Sequence, residues 1–300
     1  MTSSLLRPRG RARTAVTAPP AAAAAGSTAP TPILDWRHPR VTALVRELAA
    51  PAARGDVGAV GAVAVGAVAV GAVGPARGAE AADPARQIEA LRRAHRWISS
   101  AVRPVYSVQD ERPVSEILRL GRGSCSQRLA VLESVARASG VATRVRGLLV
   151  DGTFWDPRFP HLRRIVPDQV LLAWPEFRLG DPAAPGGPAG SWLPVSELFG
   201  GLHPLDAGPG DGFTNAGAET LFEALSRTAI DWDAAPACPA SGADAGAGAG
   251  PACDLSAYVL TDLGHHDSRD ELFARHGQTL CPMARLLAEP VLGRRAAGAA

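Results

Sequence analysis

The stretch from Gly121 to Gly147 constrains the fold of this chain more than any other. Within a short distance its residues change from a glycine turn to a helical pattern and then to a strand pattern. Its opening glycines permit a tight turn, and Ser124 has a side chain suited to capping a helix. Gly140 is placed to end that helix, and the β-branched residues over 143–150 predict a strand. One apolar face of the helix recurs at helical spacing, at Leu129, Leu132, Val135 and Ala136.

This pattern places Cys125 in the first turn of a helix. Unpaired backbone N–H groups and the helix dipole favour a negative charge there, and hence a thiolate. Cys125 is therefore our candidate nucleophile. The alternative is a buried structural cysteine with no chemistry of its own.

The remaining patterns predict a mixed α+β fold. Asp83 and Pro84 are predicted to open a helix, because aspartate caps a helix and proline suits the first helical position. Further strands are predicted over 168–177 and 192–196, which would form an antiparallel sheet with 143–150. The C-terminal region is predicted to be helical, with helices over 254–263, 268–275 and 282–289.

The chain divides into four predicted regions. Residues 1–34 have no periodicity and predict a disordered tail, and residues 35–82 predict a short helix followed by a Gly/Ala/Val insertion. Residues 83–200 contain the cysteine helix and the strands. Residues 201–300 form the helical extension, with an Ala/Gly linker inside it.

The uncharged Gly/Ala/Val tract over 57–76 has about the length that a membrane span requires. Frequent glycines weaken a helix there, and neither flank carries aromatic residues that would sit at a membrane interface. We therefore favour a low-complexity loop over a membrane helix. Deleting 56–78 is expected to leave a folded protein, because the tract has no amphipathic face to bury.

Composition excludes several classes of function. The formal charge is only +2, so no nucleic-acid partner is implied, and every basic residue is arginine. No phosphate-binding or dinucleotide motif is present, and we expect no cofactor. The four cysteines form no disulfide framework, and the N-terminus has no continuous apolar core before Ala21, so a reducing cytoplasm is the expected compartment.

A zinc site is an alternative that fits no standard spacing, with Cys253, His265, His266 and Cys281 as its ligands.

The order of these motifs resembles the transglutaminase-like domain of the papain-type cysteine-enzyme superfamily. The resemblance covers about 83–198, and its best pieces are 121–147, Leu172-Ala-Trp-Pro-Glu-Phe177 and Trp192-Leu-Pro-Val-Ser196. It implies a helix bearing the cysteine packed on an antiparallel sheet. It also implies a Cys–His–Asp triad acting on a peptide amide through a thioester.

The resemblance places Cys125 at the family's nucleophile position, but it places Leu172 where the family has histidine and Ser196 where it has aspartate. Leucine cannot accept a proton, and an apolar wall beside the thiol disfavours the thiolate. His161, in the preceding turn, is the nearest histidine that could act as a substitute base. More distant alternatives are His203, His265, His266 and His276; a frame shifted by three residues would place Gln169 there, which is no base.

Two functions follow as hypotheses. The first is a thiol-dependent amidohydrolase or acyltransferase acting on a peptide or protein. The second is a non-catalytic module of the same fold that binds a peptide or protein, because both partners of the cysteine are replaced. In either case Leu172, Trp174, Glu176 and Ser196 are expected to line a binding groove beside Cys125. Five nearby arginines either favour an acidic peptide or solvate the surface: Arg119, Arg122, Arg128, Arg144 and Arg146.

Overall fold

The structure is a computed structural model. It describes residues 24–50, 83–159, 166–180, 192–199, 213, 215, 219–226 and 258–297. The helices are α1 (Pro39–Ala49), α2 (Pro84–Ala101), α3 (Val114–Leu120), α4 (Cys125–Ala138), α5 (Leu221–Ala224), α6 (Arg269–His276) and α7 (Pro282–Leu292). The strands are β1 (Arg103–Pro104), β2 (Arg122–Gly123), β3 (Ala142–Asp151), β4 (Gln169–Arg178), β5 (Trp192–Pro194) and β6 (Val259–His266).

A four-stranded antiparallel sheet in the order β5-β4-β3-β6 forms the centre of the described fold. Helix α4 packs against β3 and β4, and α1, α2, α3 and α5 also contact it. Strands β1 and β2 form a separate short parallel pair that leads into α4. The predicted α+β class, with the cysteine helix on an antiparallel sheet, is confirmed.

Helix α4 begins as its sequence predicts. Ser124 accepts a hydrogen bond from the N–H of Gln127, and the Gln127 side chain accepts one from the N–H of Ser124, which completes a capping box. The preceding glycine, Gly121, has φ of 60° and ends α3 in the left-handed region. From Gln127 to Arg137 every residue is buried, because neighbours cover the helix on all sides rather than on one face.

The connection between β3 and β4 differs from the hairpin turn that Asp151-Gly152 favours. A 3-10 helix, Gly152–Arg158, leaves the strand there, and the Asp151 carboxylate caps it by accepting from the N–H of Thr153. Position 152 requires glycine, since a Cβ atom would lie 1.7 Å from the carbonyl oxygen of Pro167. The chain therefore presents an aromatic segment at the sheet end before it returns as β4.

Residues Val259–His266 form strand β6, whereas the sequence pattern predicts a helix over 254–263. The strand pairs with β3 and has shifts in register between Arg146 and Leu148 and between Leu149 and Val150. Residues alternate between half-buried and exposed along its first half, as expected for an edge strand. Pairing with β3 is a long-range contact that the local pattern does not contain, so the helical prediction was wrong here.

The N-terminal region is also ordered further upstream than the predicted tail over 1–34 allows. Ser27 pairs with Thr143 through two backbone hydrogen bonds, and Ile33 and Leu34 are buried in the core. Two apolar side chains among small polar ones give little periodicity, so the sequence did not reveal this segment. Strand β5 ends at Pro194, so it is shorter than the strand predicted over 192–196. A 3-10 turn, Val195–Glu197, follows it.

Among the described helices none is long and apolar enough to cross a membrane. The Gly/Ala/Val tract lies outside the described residues, and its expected loop character stays a prediction, as does the division into four regions.

Candidate functional site

A partly open cavity of about 240 Å³ lies at the N-terminus of α4. Most of its wall is apolar and aromatic, and residues from the β3–β4 connection supply much of it. Its described apolar residues include Tyr106, Phe154, Trp155, Phe159, Leu171, Leu172, Phe213, Leu221 and Leu280. Its described polar residues include Ser107, Asp110, Ser124, Cys125, Ser126, Arg158, Asn215, Thr220 and Thr279.

Cys125 lies in this wall as the first residue of α4. Burial raises the pKa of its thiol to about 12, and the charge of Glu223 adds to this effect. The guanidinium group of Arg128 and a backbone hydrogen bond from Phe222 act in the opposite direction and are outweighed. At neutral pH the group is therefore a thiol, not the thiolate that the helix terminus alone would favour.

Leu172 lines the same cavity and is only 6% exposed. It lies opposite Leu148 on β3, so the part of the wall where the resemblance implies a histidine is aliphatic. None of the described residues that line the cavity is a histidine. The Leu172 side chain cannot take a proton from the thiol.

Ser196, at the family's aspartate position, is fully buried in the 3-10 turn after β5. Its hydroxyl has no hydrogen-bond partner among the described residues, and the side chain is not part of the described cavity wall. Trp174 is likewise buried in the core outside that wall. Trp174 and Ser196 thus lie outside the described lining of this cavity, and their predicted part in a binding groove stays a prediction.

Glu176 belongs to a different cluster. It accepts a hydrogen bond from Arg144 at 2.7 Å and one from His265 Nε2 at 3.1 Å, and these bonds help to lower its pKa although burial opposes them. Strict alternation places Glu176 on the same face of β4 as Leu172, but it lies four residues further along the strand. Pro175 causes no bulge, because the β3–β4 register is continuous and β5 pairs only with Glu176–Arg178.

The other candidate bases do not meet Cys125 in the described structure. His265 contacts Glu176, and the rings of His266 and His276 face each other 5.4 Å apart. His161 and His203 lie outside the described residues. The zinc alternative finds no support within the described ranges, where no three potential ligands converge, and Cys253 lies outside them.

Sequence reasoning missed Asp110, which lines the cavity next to the start of α4. Burial raises its pKa to about 6, although the nearby Arg269 and a hydrogen bond from Ser126 stabilise the charged form. Arg269 also donates to the Ser126 hydroxyl at 2.9 Å. Asp110 follows no recognisable motif, so no sequence signal could have identified it.

Arg158 was also missed, as were the aromatic residues around it. It ends the 3-10 helix after β3 and is 7% exposed. Its Nε donates to Asn215 Oδ1 at 2.7 Å, and its Nη2 donates to the carbonyl oxygen of Glu219. The concentration of aromatic residues over 153–160 was the one available signal in the sequence.

Four of the five arginines noted in the sequence are paired with carboxylates. Arg119 bonds to Glu116, Arg144 to Glu176 and Arg146 to Asp262. Arg128 is fully buried, bonds to Glu223 at 2.5 Å and stacks over the Phe222 ring. Surface solvation is therefore the wrong explanation for Arg128, and an acidic peptide partner gains no support from these residues.

Comparison with family models agrees with this architecture. Residues 76–196 match the model of the transglutaminase-like superfamily, in agreement with the resemblance of the sequence motifs. The match ends at Ser196 and starts upstream of α2. Comparisons with curated proteins and with solved structures gave no significant match.

Proposed function

We propose that the transglutaminase-like domain of this chain is a non-catalytic module that binds a peptide or protein segment in the cavity beside Cys125. The observation that carries this proposal is the composition of the wall: Cys125 and Leu172 line one cavity, and a leucine stands where a base would be needed. A thiol without a base retains little of the power of a Cys–His pair, because the two activate as a unit.

The electrostatics of Cys125 support the same conclusion. Catalytic thiols have pKa values lowered well below that of free cysteine, whereas the pKa of Cys125 is raised to about 12. Asp110 is a carboxylate in the cavity wall, but its partners are Ser126 and arginine side chains rather than an imidazole. The cavity is mostly apolar and partly open, which suits the binding of an apolar side chain.

The pH dependence of iodoacetamide labelling at Cys125 tests the proposal. Labelling of the native protein should be slow at pH 7 and should rise only in strongly alkaline solution, because the thiolate is scarce below pH 10. Cys281 is exposed and the sequence also contains Cys238 and Cys253, so a variant with serine at all three positions should be the background for all measurements. Labelling of Cys125 in unfolded protein supplies the reference rate.

A Leu172→His variant provides the matched comparison. It should label faster at pH 7 than the parent, because an imidazole on that wall can take the thiol proton. Rapid labelling of the parent well below pH 7, lost when one of the remaining histidines is replaced, would reject the proposal. That histidine would then be the base, and the hypothesis of an amidohydrolase or acyltransferase would be restored.

A further inference from the structure

Arg158 is a buried cation without a carboxylate partner among the described residues. Both of its hydrogen bonds go to neutral acceptors, the side-chain oxygen of Asn215 and the backbone oxygen of Glu219. Burying a guanidinium group without an opposite charge is costly, so such groups are normally paired. Yet this side chain is 7% exposed and lies in the wall of the cavity.

The carboxylate in the cavity wall does not supply the missing charge. Asp110 is hydrogen-bonded to Ser126 and lies near Arg269 and Arg285. Arg158 has no ion pair with it or with any other carboxylate in the described part of the chain. No further acceptor from the described residues bonds to the remaining N–H groups of Arg158, whose side chain lines the cavity.

The position of Arg158 is fixed by its neighbours. Asn215 donates from its amide to the carbonyl oxygen of Phe154 at 2.9 Å, which orients its oxygen toward Arg158. Asn215 has φ of 58°, a left-handed conformation that asparagine tolerates better than most residues. A guanidinium group held in this way loses little entropy when it binds a planar acceptor.

The wall around Arg158 is aromatic. Phe154 packs edge-on against Trp155 with ring centres 5.0 Å apart, and Phe213 lies 5.9 Å from Phe154. Phe159 packs against Tyr106 at 4.7 Å. An engineered apolar cavity of about 150 Å³ binds benzene, so a cavity of about 240 Å³ can hold one ring together with a carboxylate.

We propose that the cavity binds an apolar carboxylate, the C-terminal residue of a peptide, with its side chain among the aromatic rings and its carboxylate on Arg158. This inference rests on the proposed function and names the ligand of that site. A carboxylate matches the donor fork of arginine, and charge-assisted pairs of this kind are among the strongest hydrogen bonds in proteins.

Calorimetric titration with two forms of one peptide tests this inference: N-acetyl-Gly-Gly-Gly-Gly-Phe with a free C-terminal acid, and the same peptide with a C-terminal amide. The acid should bind about ten-fold tighter or more, because only the acid forms a charge-assisted pair. Equal affinity of the two forms would overturn the inference. A peptide ending in serine should bind more weakly than the phenylalanine acid, and equal binding of these two would also overturn it.

Variants at position 158 complete the test. Arg158→Gln should bind the acid and the amide equally, and Arg158→Lys should retain part of the preference because it keeps the charge but loses the fork. Thermal unfolding shows whether each variant folds, and the acid-to-amide comparison on the parent protein stands without them. N-acetyl-phenylalanine distinguishes the source of the acid: if it binds tighter than the peptide, a peptide C-terminus is not the ligand.

The same titration separates this inference from the proposed function. Mass spectrometry of the mixtures would reveal an acyl group on Cys125 or release of ammonia from the amide. Either product would overturn the non-catalytic proposal, because a thioester to Cys125 forms only when the amide nitrogen leaves as ammonia. A ratio near one with no product would overturn this inference and leave the non-catalytic proposal standing.

Discussion

At the scale of single residues, burial moves the pKa values of Asp110 and His95 in opposite directions. Asp110, in the cavity wall, has its pKa raised to about 6. His95 has its pKa lowered to about 4; its ring stacks on Phe222 at 4.3 Å, and its Nε2–H donates to the Phe222 carbonyl oxygen. In both cases burial disfavours the charged form.

Asp110→Asn should stabilise the protein at pH 7. The folded pKa of about 6 exceeds the ordinary value of 3.8, so the folded protein binds this proton more tightly than the unfolded chain. The resulting stability is fully present below pH 3.8 and is lost as the pH rises through 6. We expect a gain of about 1–2 kcal/mol in the free energy of unfolding at pH 7, and little gain near pH 4. Urea denaturation at pH 7 and at pH 4 measures the free energy of unfolding. An equal gain at the two pH values would contradict the raised pKa of Asp110.

His95→Gln should remove a pH dependence of the opposite sign. The folded pKa of about 4 lies below the ordinary value of 6.5, so the unfolded chain takes up this proton first. His95 therefore costs no stability above pH 6.5, and its contribution of up to about 3 kcal/mol is lost as the pH falls through 4. Glutamine can still donate to the Phe222 carbonyl. The difference in free energy of unfolding between pH 7 and pH 4.5 should be smaller in the variant; an unchanged difference would show that His95 is not the group responsible.

At the scale of elements, the start of α4 joins helix capping to the wall of the site. Beyond its part in the capping box, Gln127 donates from its amide to Ser107 Oγ at 2.9 Å and to the carbonyl oxygen of Gln109 at 2.7 Å. The Gln127 side chain is fully buried, so no water could replace it as the hydrogen-bond partner of these two oxygens. Gln127 thereby connects the start of α4, which carries Cys125, to the segment that contains Asp110.

Two substitutions separate these roles. Ser124→Ala removes one cap hydrogen bond and should cost about 1 kcal/mol of unfolding free energy. Gln127→Ala leaves several buried groups without partners and should cost about 2–4 kcal/mol. Ser100→Ala, at an exposed position in α2, is the control and should stay within about 0.5 kcal/mol. Chemical denaturation gives all three values, and equal costs at 124 and 127 would argue against the link to Ser107 and Gln109.

At the scale of the whole molecule, the C-terminal region is part of the core around the site. Arg269, at the start of α6, forms a fully buried ion pair with Glu133 in the middle of α4. It also donates to the carbonyl oxygen of Ala173 on β4 at 3.2 Å. The neighbouring Asp270 accepts from the N–H of Ile33 at 3.1 Å, which connects the N-terminal segment to the same place. Sequence segments separated by more than a hundred residues thus meet beside α4.

Arg269→Met should destabilise the protein by about 3–5 kcal/mol, because it leaves the Glu133 carboxylate buried and unpaired. The double variant Arg269→Met with Glu133→Leu should be more stable than Arg269→Met alone, since no charge then remains in the core. Arg275→Met removes an exposed pair with Glu271 and provides the matched control, with an expected effect below about 1 kcal/mol. A double variant as unstable as the sum of the two single variants would show that the pair is not coupled.

Sequence alone was sufficient where the determining contacts are local. The cap at Ser124, the start of α2 at Asp83-Pro84, and the strands at 143–150 and 168–177 depend on neighbours within a few residues, and all lie close to their predicted positions. The same is true of α6, capped by Ser268 and ended before Gly277. The transglutaminase-like class followed from the order of these local motifs, and residues 76–196 confirm it.

Tertiary structure alone decided the rest, because long-range pairing and burial are not encoded in a local period. Strand β6 is a strand through its partner β3, and Asp110 and Arg158 line one cavity although 48 positions separate them in the chain. Sequence position put Cys125 at a helix terminus, where a dipole lowers a thiol pKa. The packing around it then raised that pKa to about 12, since desolvation of the sulfur outweighs a partial charge.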